Sequence, residues 1–155
     1  AVHSGPEWNR HTFDAEGIDF AALNDTYLPA FKALVDAGVG QVMCAYNRYE
    51  GEPCCGSNRL LQQILRDKWG YKGLVVSDCG AVGDFFYDWA HKTHPDAASA
   101  GAAAVISGTD LECGDAYRSL KEALERGQID EAAIDRSVRG SRKMFTLGVQ
   151  NVRPW

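Results

Sequence analysis

The chain has 155 residues, 45% hydrophobic and 24% charged, the composition of one soluble globular domain long enough to bury a real core. A net charge of −5 and the lack of any basic run longer than a dipeptide argue against nucleic acid and anionic membrane surfaces as partners. No stretch approaches eighteen apolar residues, which excludes a membrane-spanning helix, and AVHSGPEWNR has neither a basic nor an apolar leader region, so any export signal is expected outside this chain.

Residues 1–18 are rich in His, Gly, Pro, Asn and charge without periodicity and read as a long loop, a kind of segment that tends to be functional. From Asp25, DTYLPAFKALVDAG offers a capping residue, Pro29 near the first turn, Phe31, Leu34 and Val35 on one face and Gly38 as a stop, the signature of a helix. GQVMCAYN is then a short apolar run with the form of a strand buried on both faces. Ser57 to Trp69 places Leu60, Leu61, Ile64, Leu65 and Trp69 at helical spacing before Gly70, and GLVVSD repeats the buried-strand pattern. DAASAGAA, residues 96–103, predicts a helical segment leading into AVISGTD, a third apolar run expected to be a strand. Asp115 to Arg126 and Asp130 to Leu147 predict two capped amphipathic helices, and 149–155 predicts an extended tail.

The three apolar runs begin near Val42, Leu74 and Ala104, a repeat of 32 and then 30 residues with helices between. That alternation predicts parallel βαβ units, and the period matches a (β/α)8 barrel of ~250 residues, roughly 31 per unit. No run is followed by a GxGxxG or GxxxxGK[ST] loop, which disfavours phosphate and dinucleotide cradles. The fold class expected is therefore α/β, a partial (β/α)8 TIM barrel with parallel strands alternating with helices, of which residues 1–148 hold about half.

In such barrels chemistry collects at the C-terminal ends of the strands. Here the runs end in Tyr46-Asn47, in Ser77-Asp78, and in Asp110 followed by Glu112. Carboxylates closing adjacent strands suit acid, base or nucleophile work on a small ligand. The plainer reading is that each acid caps the next helix, and CGAVG after Asp78 weakens it there by delaying any helix.

Cys44, Cys54, Cys55, Cys79 and Cys113 are too few and too irregularly spaced for a disulfide scaffold or a paired zinc site, and their odd number leaves at least one thiol free. Cys54-Cys55 reads as two ordinary loop cysteines. Trp8, Trp69 and Trp89 invite a reading as sugar-stacking rings, but Trp69 lies on a helix face and reads as core, and Trp8 in the opening loop is the one candidate that remains. His91 and His94 have a spacing a metal could use, but no third ligand is near and Pro95 intervenes, so they read as a solvated turn.

VMCAYNRYEGEP, SNRLLQQILRDKWGYKG and LVVSDCGAV closely resemble the second half of the catalytic barrel of glycoside hydrolase family 3, and GTDLECG resembles the segment after that family's last barrel strand. The resemblance is collinear from about Ala1 to Gly148. It implies that Asp78 attacks the anomeric carbon, that Met43 and Tyr46 wall the terminal sugar, and that Arg10 in NRHTFDA reaches its hydroxyls, a role suited to the fixed fork of a guanidinium. Without it, Met43 is equally core filler and Tyr46 a packed ring with a satisfied hydroxyl. Cys79 stands beside Asp78 where many β-glucosidases carry Trp, and SDCGA with GTDLECG resembles the β-xylosidase and arabinofuranosidase branch.

The family's sugar-binding Lys-His pair would precede Ala1, and its acid/base carboxylate would come from a later region. Retaining hydrolysis needs two carboxyl groups about 5–5.5 Å apart. Asp78 and Glu112 offer such a pair from spacing alone, although the resemblance does not support Glu112 as the acid. The function expected is thus part of an exo-acting retaining β-glycosidase acting on terminal β-xylosyl residues, with a small carbohydrate as partner, no metal and no organic cofactor. A β-glucosidase or β-N-acetylhexosaminidase of the same family is the enzymatic alternative, and a non-catalytic sugar-binding module the alternative of another class. A half-barrel alone is expected to be inactive and to self-associate through the surface its other half would cover.

Overall fold

A computed structural model describes residues 5–150, with side chains through residue 141. The opening loop is partly ordered into a turn of 3-10 helix at Glu7–Asn9 and a two-residue strand β1 (Asp14–Ala15). The first helix begins earlier than its sequence signals suggest. Asp19 accepts from the Ala22 amide at 2.7 Å and caps α1 (Phe20–Ala22), while Asp25 falls inside a wide i→i+5 turn, Leu23–Tyr27, that runs on into α2 (Leu28–Asp36). Both Asp residues satisfy the cap chemistry, and the earlier one is taken because Leu23 and Leu28 then fall on the buried side.

Strand β2 (Gln41–Cys44) follows, then a small hairpin of β3 (Arg48–Tyr49) and β4 (Glu52–Pro53), with β1 pairing in parallel beside β3. Ser57 caps a wide-turned helix, Asn58–Lys68, whose last turn closes on Trp69 with an i→i+5 bond to Ile64. Chain direction then reverses into β5 (Leu74–Ser77), which lies parallel to β2 in the register Gln41 to Leu74 through Cys44 to Ser77. Strand, helix and parallel strand make the expected βαβ unit.

The third apolar run is not a strand where its sequence places one. Ala104–Ser107 forms the last turn of α3 (Ala97–Ser107), capped reciprocally by Asp96 and Ser99 and ended by Gly108. A run of Ala, Val and Ile is compatible with either element, and here buried Ala98, Ala102 and Val105 pack on α4 (Leu120–Glu125) and α5 (Glu131–Gln150), which decides for helix. The third parallel segment is shorter and later. Leu111 bridges Val76, with the Ser77 amide donating to Leu111 O at 2.9 Å and the Leu111 amide donating to Val75 O at 3.1 Å.

Helix α5 carries Val149 and Gln150, so the expected tail is helical at its start, and residues 151–155 lie outside the described residues. The observed architecture is a partial α/β fold with parallel strands. No helix among the described residues is long and apolar enough to cross a membrane.

One face of the β2/β5 pair is closed by helices. Cys44, Val75, Leu61, Leu65, Phe85 and Ala104 share a cluster there, to which Trp69 adds its half-buried ring, in agreement with its core assignment. The other face corrects the expectation that β2 is buried on both sides, because Met43 is 59% exposed and Gln41 is exposed as well. Alternating exposure is what period-2 side chains give when one face has no layer against it.

Two disulfides, Cys44–Cys55 and Cys79–Cys113, overturn the expectation that the cysteines form no covalent framework. Cys79 and Cys113, 34 apart, are brought together by the return from β5 through α3 to Leu111, whereas Cys44 and Cys55, 11 apart, are joined where the β3/β4 hairpin turns the chain back on β2. Cys55 is thereby separated in role from Cys54, the one free thiol among the described residues, whose pKa burial pushes up to about 12.

Candidate active site

Asp78 is the residue after β5, and its backbone still belongs to the sheet, with its amide donating to Cys44 O at 3.2 Å. The chain then breaks away. Gly80 has φ +81°, a left-handed conformation that glycine adopts without strain, and its amide donates to Cys113 O at 2.6 Å. The turn leaves Asp78 Oδ1 accepting from the Cys79 amide at 2.7 Å. Asp78 therefore caps no following helix, and its carboxylate stays half-buried at the C-terminal end of the strand.

Tyr46, two residues beyond β2, reaches the same place. Its hydroxyl donates to Cys79 O at 2.6 Å. Burial first, and the neighbouring Asp78 charge second, push its pKa up, so the phenol stays protonated and keeps its bond to Cys79 O. Arg10 comes in from the opening loop with its guanidinium 4.9 Å over the Tyr46 ring and an ion pair to Glu7. Cation and ring face attract through the ring quadrupole.

Between Arg10 and the chain after β5 stands His11. Its Nδ1 lies 2.7 Å from Asp84 Oδ2, and its Nε2 accepts from Arg10 Nε at 3.1 Å. Those partners assign the proton to Nδ1. Asp84 is only 1% exposed. Burial pushes its pKa up, with the His11 bond acting in the opposite direction. His91 is 7% exposed and donates from Nε2 to Tyr46 O at 2.7 Å, and burial holds its pKa below the usual histidine value. It is a neutral prop beneath Tyr46, which corrects the expectation of a solvated turn. His94 is half-buried, against Phe85 and 3.0 Å from Thr93 Oγ1. The reversal after Phe85 folds this histidine-bearing segment back under the site, something Pro95 does not signal.

Of the residues singled out in the sequence, Arg10, Tyr46, Asp78 and Cys79 are brought together. Met43 stands apart, its side chain exposed on β2 at the border of an apolar cleft with Leu28, Phe31, Leu60, Ile64 and Trp69. Cys79 contributes its backbone N–H and C=O to the site, while its sulfur is bonded to Cys113. Trp8 is exposed in the Glu7–Asn9 turn.

Asp110 and Glu112 do not share the site with Asp78 as paired acids. Asp110 Oδ2 accepts from Arg66 at 2.7 Å and from the Val75 amide at 2.8 Å, a largely buried tie that braces the middle of β5. Glu112 accepts from the amides of Ala116 and Tyr117 at 3.1 and 2.9 Å, the capping role that the plainer reading gives such an acid. His11, Asp84 and His91 have no sequence signal beyond the adjacency of His11 to Arg10, because their bonds span long separations.

A fixed carboxylate beside a neutral phenol and a guanidinium is equipped to bind hydroxyl groups and to meet an electrophilic carbon. The model of the glycosyl hydrolase family 3 N-terminal domain matches residues 3–142. The chain is 54% identical over 152 residues to a xylan 1,4-beta-xylosidase of Xylanibacter ruminicola, covering 96% of this chain and 17% of that protein. Its structure resembles a GH3 exo-beta-xylosidase (XlnD) in complex with a xylobiose aziridine activity-based probe, with a TM-score of 0.77 and 32% identity over 86% of this chain and 18% of the other. It also resembles a beta-glucosidase from Listeria innocua, with a TM-score of 0.77 and 29% identity over 86% of this chain and 18% of that one. The chain spans about a fifth of the length of these relatives. Together with the strand-end carboxylate and its neighbours, these matches place the chain in glycosyl hydrolase family 3, as part of that family's N-terminal domain.

Proposed function

We propose that residues 1–148 are the C-terminal half of a (β/α)8 catalytic barrel in an exo-acting, retaining β-glycosidase that removes terminal β-xylosyl residues from xylo-oligosaccharides. The observation that carries this is Asp78, a carboxylate at the end of a parallel strand, held by the Cys79 amide with Tyr46 and Arg10 at its side. In this mechanism Asp78 Oδ2 attacks the anomeric carbon. The bond to the leaving oxygen breaks with its electron pair, and that oxygen takes a proton from an acid outside residues 1–155. Water, deprotonated by the same group, then displaces Asp78 from the glycosyl-enzyme and releases the sugar with its configuration retained. The Arg10 fork donates to the sugar, and the Tyr46 hydroxyl, its own proton held by Cys79 O, offers its oxygen to a sugar hydroxyl.

A xylosyl substrate is favoured over glucosyl by the names of the curated relatives, and by Cys79 standing beside Asp78 where the family resemblance implies Trp in many β-glucosidases. The β-glucosidase of similar TM-score supports glucosyl transfer as the second reading. Kinetics of the complete enzyme on nitrophenyl β-xyloside, β-glucoside and β-N-acetylglucosaminide separate these. The expected order puts xyloside first in kcat/KM by at least tenfold, and a preference for glucoside reverses the substrate assignment. Residues 1–155 alone are expected to turn over aryl xylosides at least about a thousandfold more slowly, since general acid catalysis alone is worth ~10²–10⁴. They are expected to self-associate through the face carrying exposed Met43, and a clean monomer in light scattering with a cooperative melt contradicts that.

A further inference from the structure

The loop after Asp84 presents large aromatic surface that the chemistry at Asp78 does not use. Trp89 is 62% exposed and Tyr87 39% exposed, and their rings lie stacked with centroids 5.4 Å apart and planes 19° from parallel. Isolated exposed aromatics are ordinary on a protein surface. This pair differs in being built. The Tyr87 and Phe86 amides both donate to Gly83 O, and Ala90 N donates to Tyr87 O. His91 N returns to Asp84 O at 2.9 Å, and Lys92 Nζ closes the loop on Phe86 O at 3.0 Å and on Asp88 at 2.7 Å. Tyr87 lies directly on Gly83, where a Cβ would come 2.6 Å from its ring, so only glycine lets the ring settle there.

The pair also stands in a fixed relation to the carboxylate. Tyr46, beside Asp78, meets the His11 ring edge-on at 4.6 Å, and His11 meets Trp89 edge-on at 5.4 Å. His11 is clamped by Asp84 and Arg10. Tyr46, His11, Trp89 and Tyr87 therefore form one aromatic wall that starts beside the reacting group and reaches Trp89 two ring contacts farther out and Tyr87 three, which sets the indole beyond the attacked sugar, where a neighbouring unit would lie.

We propose that Trp89, supported by Tyr87, is the platform for the leaving-group sugar, the xylosyl unit on the reducing side of the bond that is cleaved. This rests on the reading of Asp78 as the attacking carboxylate. A β-1,4-linked xylopyranose carries its hydroxyls equatorially and turns flat faces of C–H bonds outward. Such faces match the electron-rich face of an indole. The unit bound there is not the one attacked, so its contact energy acts by holding the scissile bond over Asp78, and it appears in kcat/KM.

The test compares two substrates in the complete enzyme. Xylobiose has a sugar leaving group, whereas β-xylosyl fluoride presents the same attacked sugar with none. Trp89→Ala is expected to lower kcat/KM on xylobiose at least tenfold and on xylosyl fluoride no more than threefold, with Trp89→Phe recovering most of the loss. Equal losses on both substrates, or no loss on xylobiose, overturn the platform while leaving the role of Asp78 standing. An unmutated enzyme that turns over neither substrate overturns the underlying reading and the platform with it.

Discussion

His11 Nδ1 lies 2.7 Å from Asp84 Oδ2, joining residues 73 apart in sequence and tying the opening loop to the segment that follows β5.

That bond orients the imidazole so that its other nitrogen receives Arg10. Replacing Asp84 with Ala removes the acceptor of the His11 imidazole, which is 30% exposed, and a hydrogen bond of this kind is worth about 0.5–1.5 kcal/mol. Asp84→Ala is expected to lower unfolding stability by that amount and, with Arg10 unanchored, to raise KM more than it lowers kcat. Asp84→Asn, which keeps an oxygen acceptor, is expected to fall between. Thermal melts and steady-state kinetics on the complete enzyme read both effects.

The Cys79–Cys113 bridge closes a separation of 34 residues, for which the loss of loop entropy in the unfolded chain predicts roughly 3–4 kcal/mol of stabilisation. Cys79 also holds Asp78 through its amide and Tyr46 through its carbonyl. The Cys79→Ala, Cys113→Ala double variant is expected to melt lower and to lose about tenfold in kcat. Treatment of the unmutated enzyme with a thiol reductant is expected to move both quantities the same way, and unchanged kcat in the double variant contradicts the positioning role.

Acid sensitivity follows from the buried histidines. Burial holds the pKa values of His91 and His94 below their ordinary 6.5 in the folded chain. Below 6.5 the unfolded chain takes up protons that the folded chain refuses, so stability is fully present above that pH and falls as pH drops through the window beneath it. His91 sits within reach of the charges of Asp84, Arg48 and Asp14. His91→Gln keeps a donor for Tyr46 O and removes the titration, so its Tm is expected to change less than that of the parent between pH 7 and about pH 5. An identical pH slope in the two proteins contradicts this account.

The sequence carries the βαβ order plainly, because Ser57 to Trp69 and LVVSD have unambiguous helical and strand patterns and occur as such. It misleads at Ala104–Ser107, where an apolar run fits either element and only packing against α4 and α5 decides. The strand-end rule finds Asp78 and Tyr46, since both belong to local patterns. It cannot separate Asp78 from Asp110, whose carboxylate is turned to Arg66 by contacts from a different helix. The Cys79–Cys113 bridge and the His11–Asp84 bond are long-range pairings, legible only once the chain has folded.

Asp78 is the residue proposed to form the covalent bond to sugar. The direct measurement is to trap the intermediate in the complete enzyme with a 2-fluoro xyloside, digest it and sequence the labelled peptide by mass spectrometry, alongside kinetics of Asp78→Asn. A glycosyl label on Asp78 alone is expected, with almost no glycosyl-enzyme in Asp78→Asn and ground-state sugar binding retained. A label on any other residue, or an Asp78→Asn enzyme keeping a tenth of its normal rate, contradicts that role.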